Sequence, residues 1–114
     1  MNDISKLNDR FRLSLGLLPL NGNIPGRAVM TAGIAALAPE LQVSILSKVR
    51  SFNDFTEDND PYGEHDFGAF DLDGPGRIFW KIDYYAPDMC HGSENPADLA
   101  KTVRVLTIML ASEY

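Results

Sequence analysis

The sequence predicts a single α+β domain in which a small antiparallel sheet packs against about three helices. Three observations support this fold class. Apolar residues recur at helical spacing in three segments, two β-prone runs at residues 67–72 and 77–85 flank the turn-forming tetrapeptide DGPG, and a short β-prone run lies near residues 27–31. With 114 residues, of which 45% are hydrophobic, the chain can bury one modest core, so we expect residues 1–114 to form one domain.

The first helix is predicted close to the N-terminus. Asn2 or Asp3 can cap its start, and Gly16 is positioned to end it. Its apolar stripe consists of Ile4, Leu7, Phe11 and Leu15. The turn NGNIPG then separates this helix from the short strand near residues 27–31.

A second helix is predicted over residues 39–52. Pro39 occupies the first turn, where a helix tolerates proline because the first N–H groups have no partner within the helix. Leu41, Ile45, Val49 and Phe52 form its apolar stripe.

Residues 67–72 and 77–85 are predicted to form an antiparallel hairpin with DGPG as a four-residue loop. This register places Leu72 opposite Arg77 and Asp66 opposite Asp83. Because side chains alternate across a sheet, one face then forms the core, with Trp80 at its centre. The predicted core face consists of Phe67, Ala69, Ile78, Trp80, Ile82 and Tyr84.

The last segment, NPADLAKTVRVLTIMLASEY, is predicted to be a helix because it begins with Asn95 as a cap and Pro96 in the first turn. Apolar residues would surround most of such a helix, which is typical of a core helix or of a homodimer interface. The run VRVLTIML is also rich in β-branched residues, so a strand is the alternative.

The negative charge of the protein is concentrated in one segment. The formal net charge is −6, and residues 51–76 contain eight acidic residues and no lysine or arginine. This distribution argues against a nucleic-acid-binding protein with a basic surface, so no direct nucleic-acid binding is expected. A metal ion, a basic protein surface or solvent alone remains as the counterpart of the segment.

We expect a cytoplasmic protein that does not bind membranes. The N-terminal residues lack a signal-peptide pattern, and no apolar run approaches the ~20 residues of a membrane-spanning helix. Cys90 is the one cysteine of the chain, so an internal disulfide is excluded.

Candidates for metal and catalytic sites lie in the acidic segment and at Asp83 in the β-prone run that follows it. The sequence contains no zinc-protease, phosphate-binding or nucleophile motif. A loop of the EF-hand type starting at Asp58 would place Ala69 at the position where glutamate is required. A Mg²⁺ or Mn²⁺ ion could be held by Asp60, Glu64, Asp66 and Asp83. His65, oriented by Asp66 or Asp83, is the candidate general base, although a histidine that fixes a loop is the simpler interpretation.

The blocks GRAVMTAGIAAL, FNDFTEDNDPYGEHDFGAF, FWKIDYY and RVLTIMLASEY resemble, in this order, a family of short bacterial proteins of unknown function. The resemblance covers about residues 7–114, and DNDPYGEHDFG is its most specific part. The family is carried largely on plasmids, phages and related mobile elements, so the resemblance implies a bacterial or phage origin. It implies no activity, cofactor or catalytic residue.

Three functions remain as hypotheses. The first is a binding or regulatory protein that uses its acidic surface, and its most concrete version is an inhibitor of a host defence complex in the manner of anti-CRISPR proteins. The second is a divalent-metal-dependent enzyme, and the third is a homodimeric accessory protein that associates through the last helix. The partner-binding candidates are Glu57, Asp58, Asp60, Tyr62 and Glu64. We expect residues 57–60 to be exposed and residues 64–66 to be held in place by the fold.

Overall fold

The computed structural model describes residues 3–17 and 22–114 of the chain. In chain order, the helices and strands are α1 (Asp3–Leu13), β1 (Gly26–Met30), α2 (Ala32–Ala35), α3 (Pro39–Ser51), β2 (Phe67–Leu72), β3 (Gly76–Tyr85) and β4 (Val103–Leu110). Two short 3₁₀ turns flank β4, at Leu99–Lys101 and Ala111–Glu113. The fold is therefore α+β, as the sequence predicts.

The four strands form one mixed sheet in the order β1-β4-β3-β2. β1 runs parallel to β4, while the other two neighbouring pairs are antiparallel. The core lies between the sheet and the helices α1 and α3, because Phe11 of α1 and Ile45 and Val49 of α3 are buried together with the central strands. None of the helices in the described ranges is long and apolar enough to cross a membrane.

The two predicted N-terminal helices are confirmed, and the short strand lies within a residue of its predicted place. α1 ends through Gly16, which takes a φ of +75° and donates its N–H to the Phe11 carbonyl. Asn2, the alternative cap, lies outside the described residues.

The predicted C-terminal helix is wrong, because residues 103–110 form the central strand β4. Side chains on both faces of β4 are buried, so the strand is apolar on each side. Such a continuous apolar run has the same pattern as a buried helix. The predicted cap Asn95 accepts the Ala97 N–H within a turn, and the Asp98 side chain accepts the Ala100 N–H and caps only the 3₁₀ turn at Leu99–Lys101. A homodimer through a C-terminal helix therefore loses its structural basis.

The predicted hairpin register is wrong by one residue. Leu72 pairs with Gly76, so the hairpin loop contains three residues. As a result Gly68, rather than Phe67 or Ala69, lies on the core side of the sheet. The packing of Trp80 explains this, since Gly68 lies directly opposite it and a Cβ at Gly68 would lie 2.4 Å from the indole nitrogen. On β2 the core side therefore consists of Gly68, Phe70 and Leu72. Trp80 itself is fully buried, as predicted.

Candidate functional site

The first part of the acidic segment, residues 52–66, forms an irregular loop that leads from α3 into β2. We call it the acidic loop. Its first half is tied to itself by Asn59. The Asn59 side-chain oxygen accepts the Thr56 N–H at 2.8 Å, and its amide nitrogen donates to the Asp54 carbonyl at 2.8 Å. Asparagine stabilises turns in this way because its short amide reaches nearby backbone groups. The outer part of the loop is thus a defined turn.

Asp60 holds the second half of the loop through hydrogen bonds to its backbone. Its carboxylate accepts the backbone N–H groups of Glu64 and His65 at 3.1 and 3.2 Å. Only 9% of the residue is exposed, so the expectation that Asp60 lies on the surface is wrong. The reason is local: Gly63 takes a φ of +65° and His65 one of +58°, which turns the backbone N–H groups of this segment towards the carboxylate.

His65 is held by three side chains. Its ring stacks on Phe55 with a centroid distance of 3.9 Å and an interplanar angle of 2°. Nδ1 lies 2.9 Å from an Asp9 carboxylate oxygen, and Nε2 lies 3.7 Å from an Asp60 oxygen. Both ring nitrogens therefore face carboxylates of the fold, which suits a histidine that fixes the loop to α1.

A buried polar network lies on the other side of this loop. Asn8 of α1 donates to the Tyr84 hydroxyl at 2.8 Å and to the Glu64 carbonyl at 2.9 Å. The Tyr84 hydroxyl donates to a Glu64 carboxylate oxygen at 2.8 Å, and burial raises the pKa of Tyr84 well above its usual range. Tyr84 therefore remains a neutral donor, and Glu64 is fixed by the network.

Arg104 completes the network from the start of β4. Its Nε donates to the Asn8 side-chain oxygen at 2.7 Å, and Nη2 donates to the Pro96 carbonyl at 2.7 Å. The guanidinium lies over the Tyr84 ring at 5.2 Å, and burial lowers the pKa of Arg104. Nη1 is buried and has no hydrogen-bond partner among the described residues. The ring face of Tyr84 provides part of the stabilisation that this cation would otherwise lack.

Arg12 plays a comparable part at the end of α3. Its Nε and Nη2 donate to the Val49 and Phe52 carbonyls at 2.9 and 2.8 Å. A helix leaves its last carbonyls without partners within the helix, and a cation there also complements the helix dipole. Arg12 thus fixes the point where α3 passes into the acidic loop.

The residues predicted from the sequence did not include Asn8, Asp9, Arg12 or Arg104. A signal was available, because Asn8 and Arg12 lie four residues apart beside the apolar stripe of α1, and Arg104 interrupts the apolar run VRVLTIML. A polar residue in such a place requires a buried hydrogen-bond partner.

The four metal candidates lie in one neighbourhood, since the charges of Glu64, Asp60 and Asp83 all act on Asp66. The Asp83 carboxylate pairs with Lys81 at 3.0 Å. Asp66 lies opposite Ile82 rather than Asp83, and its backbone carbonyl accepts the Ile82 N–H. In the described ranges, no group of three or more His, Cys, Asp or Glu side chains is arranged to hold a metal ion. The ring nitrogens of His65 face Asp9 and Asp60 rather than the predicted partners Asp66 and Asp83.

The outer surface of the loop differs from its interior. Tyr62 is 82% exposed, and Asp54, Glu57 and Asp58 are exposed beside it in the chain. Glu64 and Asp66 are half-buried beneath them. We use the name acidic face for the three exposed partner-binding candidates, Glu57, Asp58 and Tyr62.

The comparisons with known proteins give one match. The model of a family described as "Protein of unknown function (DUF3768)" matches residues 30–113, which is most of the chain. No curated protein and no solved structure matches the chain. The match covers α2, α3 and all of β2, β3 and β4.

Proposed function

Because the chain belongs to the DUF3768 family, a family of proteins of unknown function, we propose a function from its own residues: it binds a basic surface of another protein through the acidic face. In this proposal Glu57, Asp58 and Tyr62 contact the partner. Asp60 and Glu64, the other two sequence candidates, support the loop from within.

The observation that carries the proposal is an exposed aromatic side chain on an anchored loop. Tyr62 is 82% exposed, while Asp60 and Asn59 on the same loop are engaged with backbone groups. Tyrosine is enriched among the residues that dominate binding energy at protein interfaces. A loop that is ordered before association loses less conformational entropy on binding, which favours affinity.

The charge distribution supports a basic partner. Asp71 is paired with Arg77 and Asp60 is buried, whereas Glu57 and Asp58 face solvent. Exposed charge of one sign accelerates the encounter with a surface of opposite sign, and the effect weakens as salt is added.

In its most specific form, the proposal places this protein in the cytoplasm of a bacterium, encoded by a phage, plasmid or other mobile element. Its partner would then be a host nucleic-acid-guided defence complex, whose basic channel would accept carboxylates in place of backbone phosphates. The localised acidic segment and the resemblance of the sequence blocks support this form of the proposal.

A capture experiment with matched variants tests the proposal. Immobilised wild-type protein, the double variant Glu57→Gln/Asp58→Asn and the single variant Tyr62→Ala are compared for the proteins that they retain from a bacterial lysate. The control is Asp3→Asn/Glu40→Gln, which removes the same charge from exposed positions outside the loop.

We expect the control to retain the same basic protein as the wild type, and both loop variants to lose most of it, with a larger loss at low salt for the double variant. The double loop variant should keep the wild-type melting temperature, since Glu57 and Asp58 are exposed. The control should melt slightly lower, because Asp3 and Glu40 lie in the first turns of α1 and α3, where a negative charge complements the helix dipole. Equal retention by the double loop variant and by its control would exclude docking through the acidic face.

A further inference from the structure

The sheet has two edge strands, and they differ in how their outer sides are covered. At the β1 edge, the chain passes close by at Gly16, where a Cβ would lie 3.3 Å from the Ala28 nitrogen. At the other edge, β2 has β3 as its one strand neighbour in the described part of the chain. The edge of β2 is therefore the one with room for another strand.

The register shows which backbone groups of β2 point outwards. The Ile82 N–H donates to the Asp66 carbonyl at 2.8 Å, so Asp66 and Ile82 form a hydrogen-bonded pair. In an antiparallel ladder such pairs alternate with pairs that form no hydrogen bond. Gly68 and Phe70 therefore bond to β3, whereas the N–H and C=O groups of Phe67, Ala69 and Asp71 point away from it.

Within the part of the chain that the structure describes, these outward groups remain for pairing with another strand. In the described ranges, no residue outside the sheet hydrogen-bonds to the backbone of Phe67, Ala69 or Asp71. A row of free N–H and C=O groups at a sheet edge is the template on which an extended peptide adds as a further strand.

A cavity lies beside this edge on the helix side of the sheet. It has a volume of about 190 Å³ and is lined by Lys48, Ser51, Phe52, Asn53, Asp54 and Phe70. Since side chains of a strand alternate between the two faces, a strand added to β2 would direct every second side chain towards this cavity. Phe52 and Phe70 give the cavity an apolar lining that suits an aliphatic side chain.

The charge around the edge indicates which side chains suit the remaining positions of a strand added to β2. β2 lies within residues 51–76, which contain eight acidic residues and no basic one. Asp71 and Asp73 are exposed, and the Asp71 carboxylate lies on the sheet face opposite the cavity, where the intervening side chains of an added strand would lie. Basic side chains at the intervening positions are therefore complementary to this edge.

We propose that the partner of this protein contributes an extended segment with alternating basic and aliphatic residues, which adds to the free edge of β2 as a fifth strand. The proposal rests on the proposed function for the basic character of the partner. It assigns the main-chain recognition to Phe67, Ala69 and Asp71 and the side-chain specificity to the cavity between α3 and Phe70.

The first test uses a synthetic, end-blocked peptide of about eight residues in which lysine and valine alternate. On binding to the full chain, the Phe67, Ala69 and Asp71 amides should exchange with deuterium at least about tenfold more slowly, since each gains a hydrogen bond or a covering strand. The Gly68 and Phe70 amides should change little, because they already bond to β3. A peptide with glutamate in place of lysine and one with a central proline are the controls, and neither should bind.

The second test uses variants of one residue. Ala69→Pro removes an outward N–H without removing a bond to β3, and we expect it to weaken binding of the lysine-valine peptide about tenfold or more. Ala69→Val keeps the N–H and should bind like the wild type. If Ala69→Pro does not fold, the exchange measurement on the wild type decides alone.

The outcomes separate this proposal from the proposed function. Absence of peptide binding, or binding without slower exchange at the three outward amides, overturns strand addition at β2. Equal binding by a folded Ala69→Pro variant also overturns it. If the Glu57→Gln/Asp58→Asn variant loses its captured partner while the peptide leaves β2 unchanged, docking through the acidic face stands and strand addition fails. If the Glu57→Gln/Asp58→Asn variant keeps its captured partner while the peptide slows exchange at the outward amides of β2, strand addition is supported and docking through the acidic face is contradicted.

Discussion

At the scale of single residues, Asp66 has surroundings that disfavour its negative charge. The carboxyl group is half-buried, and burial is the main cause that raises its pKa, followed by the negative charge of Glu64 and, further down, of Asp60 and Asp83. Glu64 cannot relieve this repulsion by moving, because the Tyr84 hydroxyl holds it. Asp66 is thus a residue at which the fold tolerates an unfavourable charge.

The substitution Asp66→Asn should therefore raise the melting temperature at neutral pH. A carboxyl group whose pKa is raised by folding stabilises the folded state fully below its unfolded pKa of about 3.9, and this stability is lost as the pH rises through the folded pKa. The increase in melting temperature caused by Asp66→Asn should be near zero at low pH, where the wild-type carboxyl group is protonated, and should grow as the pH rises. Melting temperatures of both proteins across a pH series measure it.

Asp73→Asn serves as the control for this measurement, since Asp73 is exposed in the hairpin turn. Its melting temperature should follow that of the wild type at every pH. A loss of stability in Asp66→Asn at neutral pH would show that the ionised carboxylate is required by its neighbours.

At the scale of the structural elements, the hairpin shows how one contact selects a strand register. In the observed register the bare backbone of Gly68 lies under the Trp80 indole, and the indole is flanked by Phe52 and Phe55 at centroid distances of 5.5 and 6.2 Å. The Arg12 guanidinium lies 4.8 Å from the same ring system. A shift by one residue would place the Phe67 or Ala69 side chain where the indole lies.

We therefore expect Gly68→Ala to destabilise the protein by about 1–3 kcal/mol, the range for overpacking a filled core. The added methyl group would lie 2.4 Å from the Trp80 indole nitrogen, so the indole or the strand must move. Chemical denaturation with tryptophan fluorescence measures the change, because Trp80 is the single tryptophan.

The matched control is Gly92→Ala, where the nearest atom to the new methyl group is the Tyr84 carbonyl oxygen at 3.8 Å. It should change the free energy of unfolding by less than about 0.5 kcal/mol. If Gly68→Ala were as mild as this control, Gly68 could not be the contact that selects the register.

At the scale of the whole molecule, the first helix and the last strand are joined by a buried polar network. Asn8 and Arg104 are separated by 96 positions in sequence and are both fully buried. The same asparagine reaches Tyr84 of β3 and the Glu64 carbonyl of the acidic loop. One side chain therefore joins α1, β3, β4 and the loop that carries the acidic face.

Replacing Asn8 by alanine should cost about 3 kcal/mol or more, because it leaves the Arg104 cation with fewer partners in a buried site. Lys6→Ala, an exposed change in the same helix, should stay within about 0.5 kcal/mol of the wild type. Equilibrium unfolding gives both values. We also expect the amides of residues 64–66 to exchange faster in Asn8→Ala, and unchanged exchange there would contradict a link between the network and the acidic loop.

Local patterns were enough to predict α1, α3, β1 and the presence of the hairpin. Each depends on periodicity and on turn residues that act within a few positions, such as Gly16 after α1 and Pro39 at the start of α3. The clustering of acids in residues 51–76 and the burial of Trp80 could also be inferred without coordinates.

Only the tertiary structure decided three further points. Residues 103–110 form a strand because they lie between β1 and β3, and an apolar run alone does not distinguish a central strand from a buried helix. The hairpin register depends on the space that Gly68 leaves for Trp80, and the role of Asp60 depends on the backbone turn that brings two N–H groups to it. Each of these was decided by contacts between side chains and backbone in three dimensions, which sequence spacing does not encode.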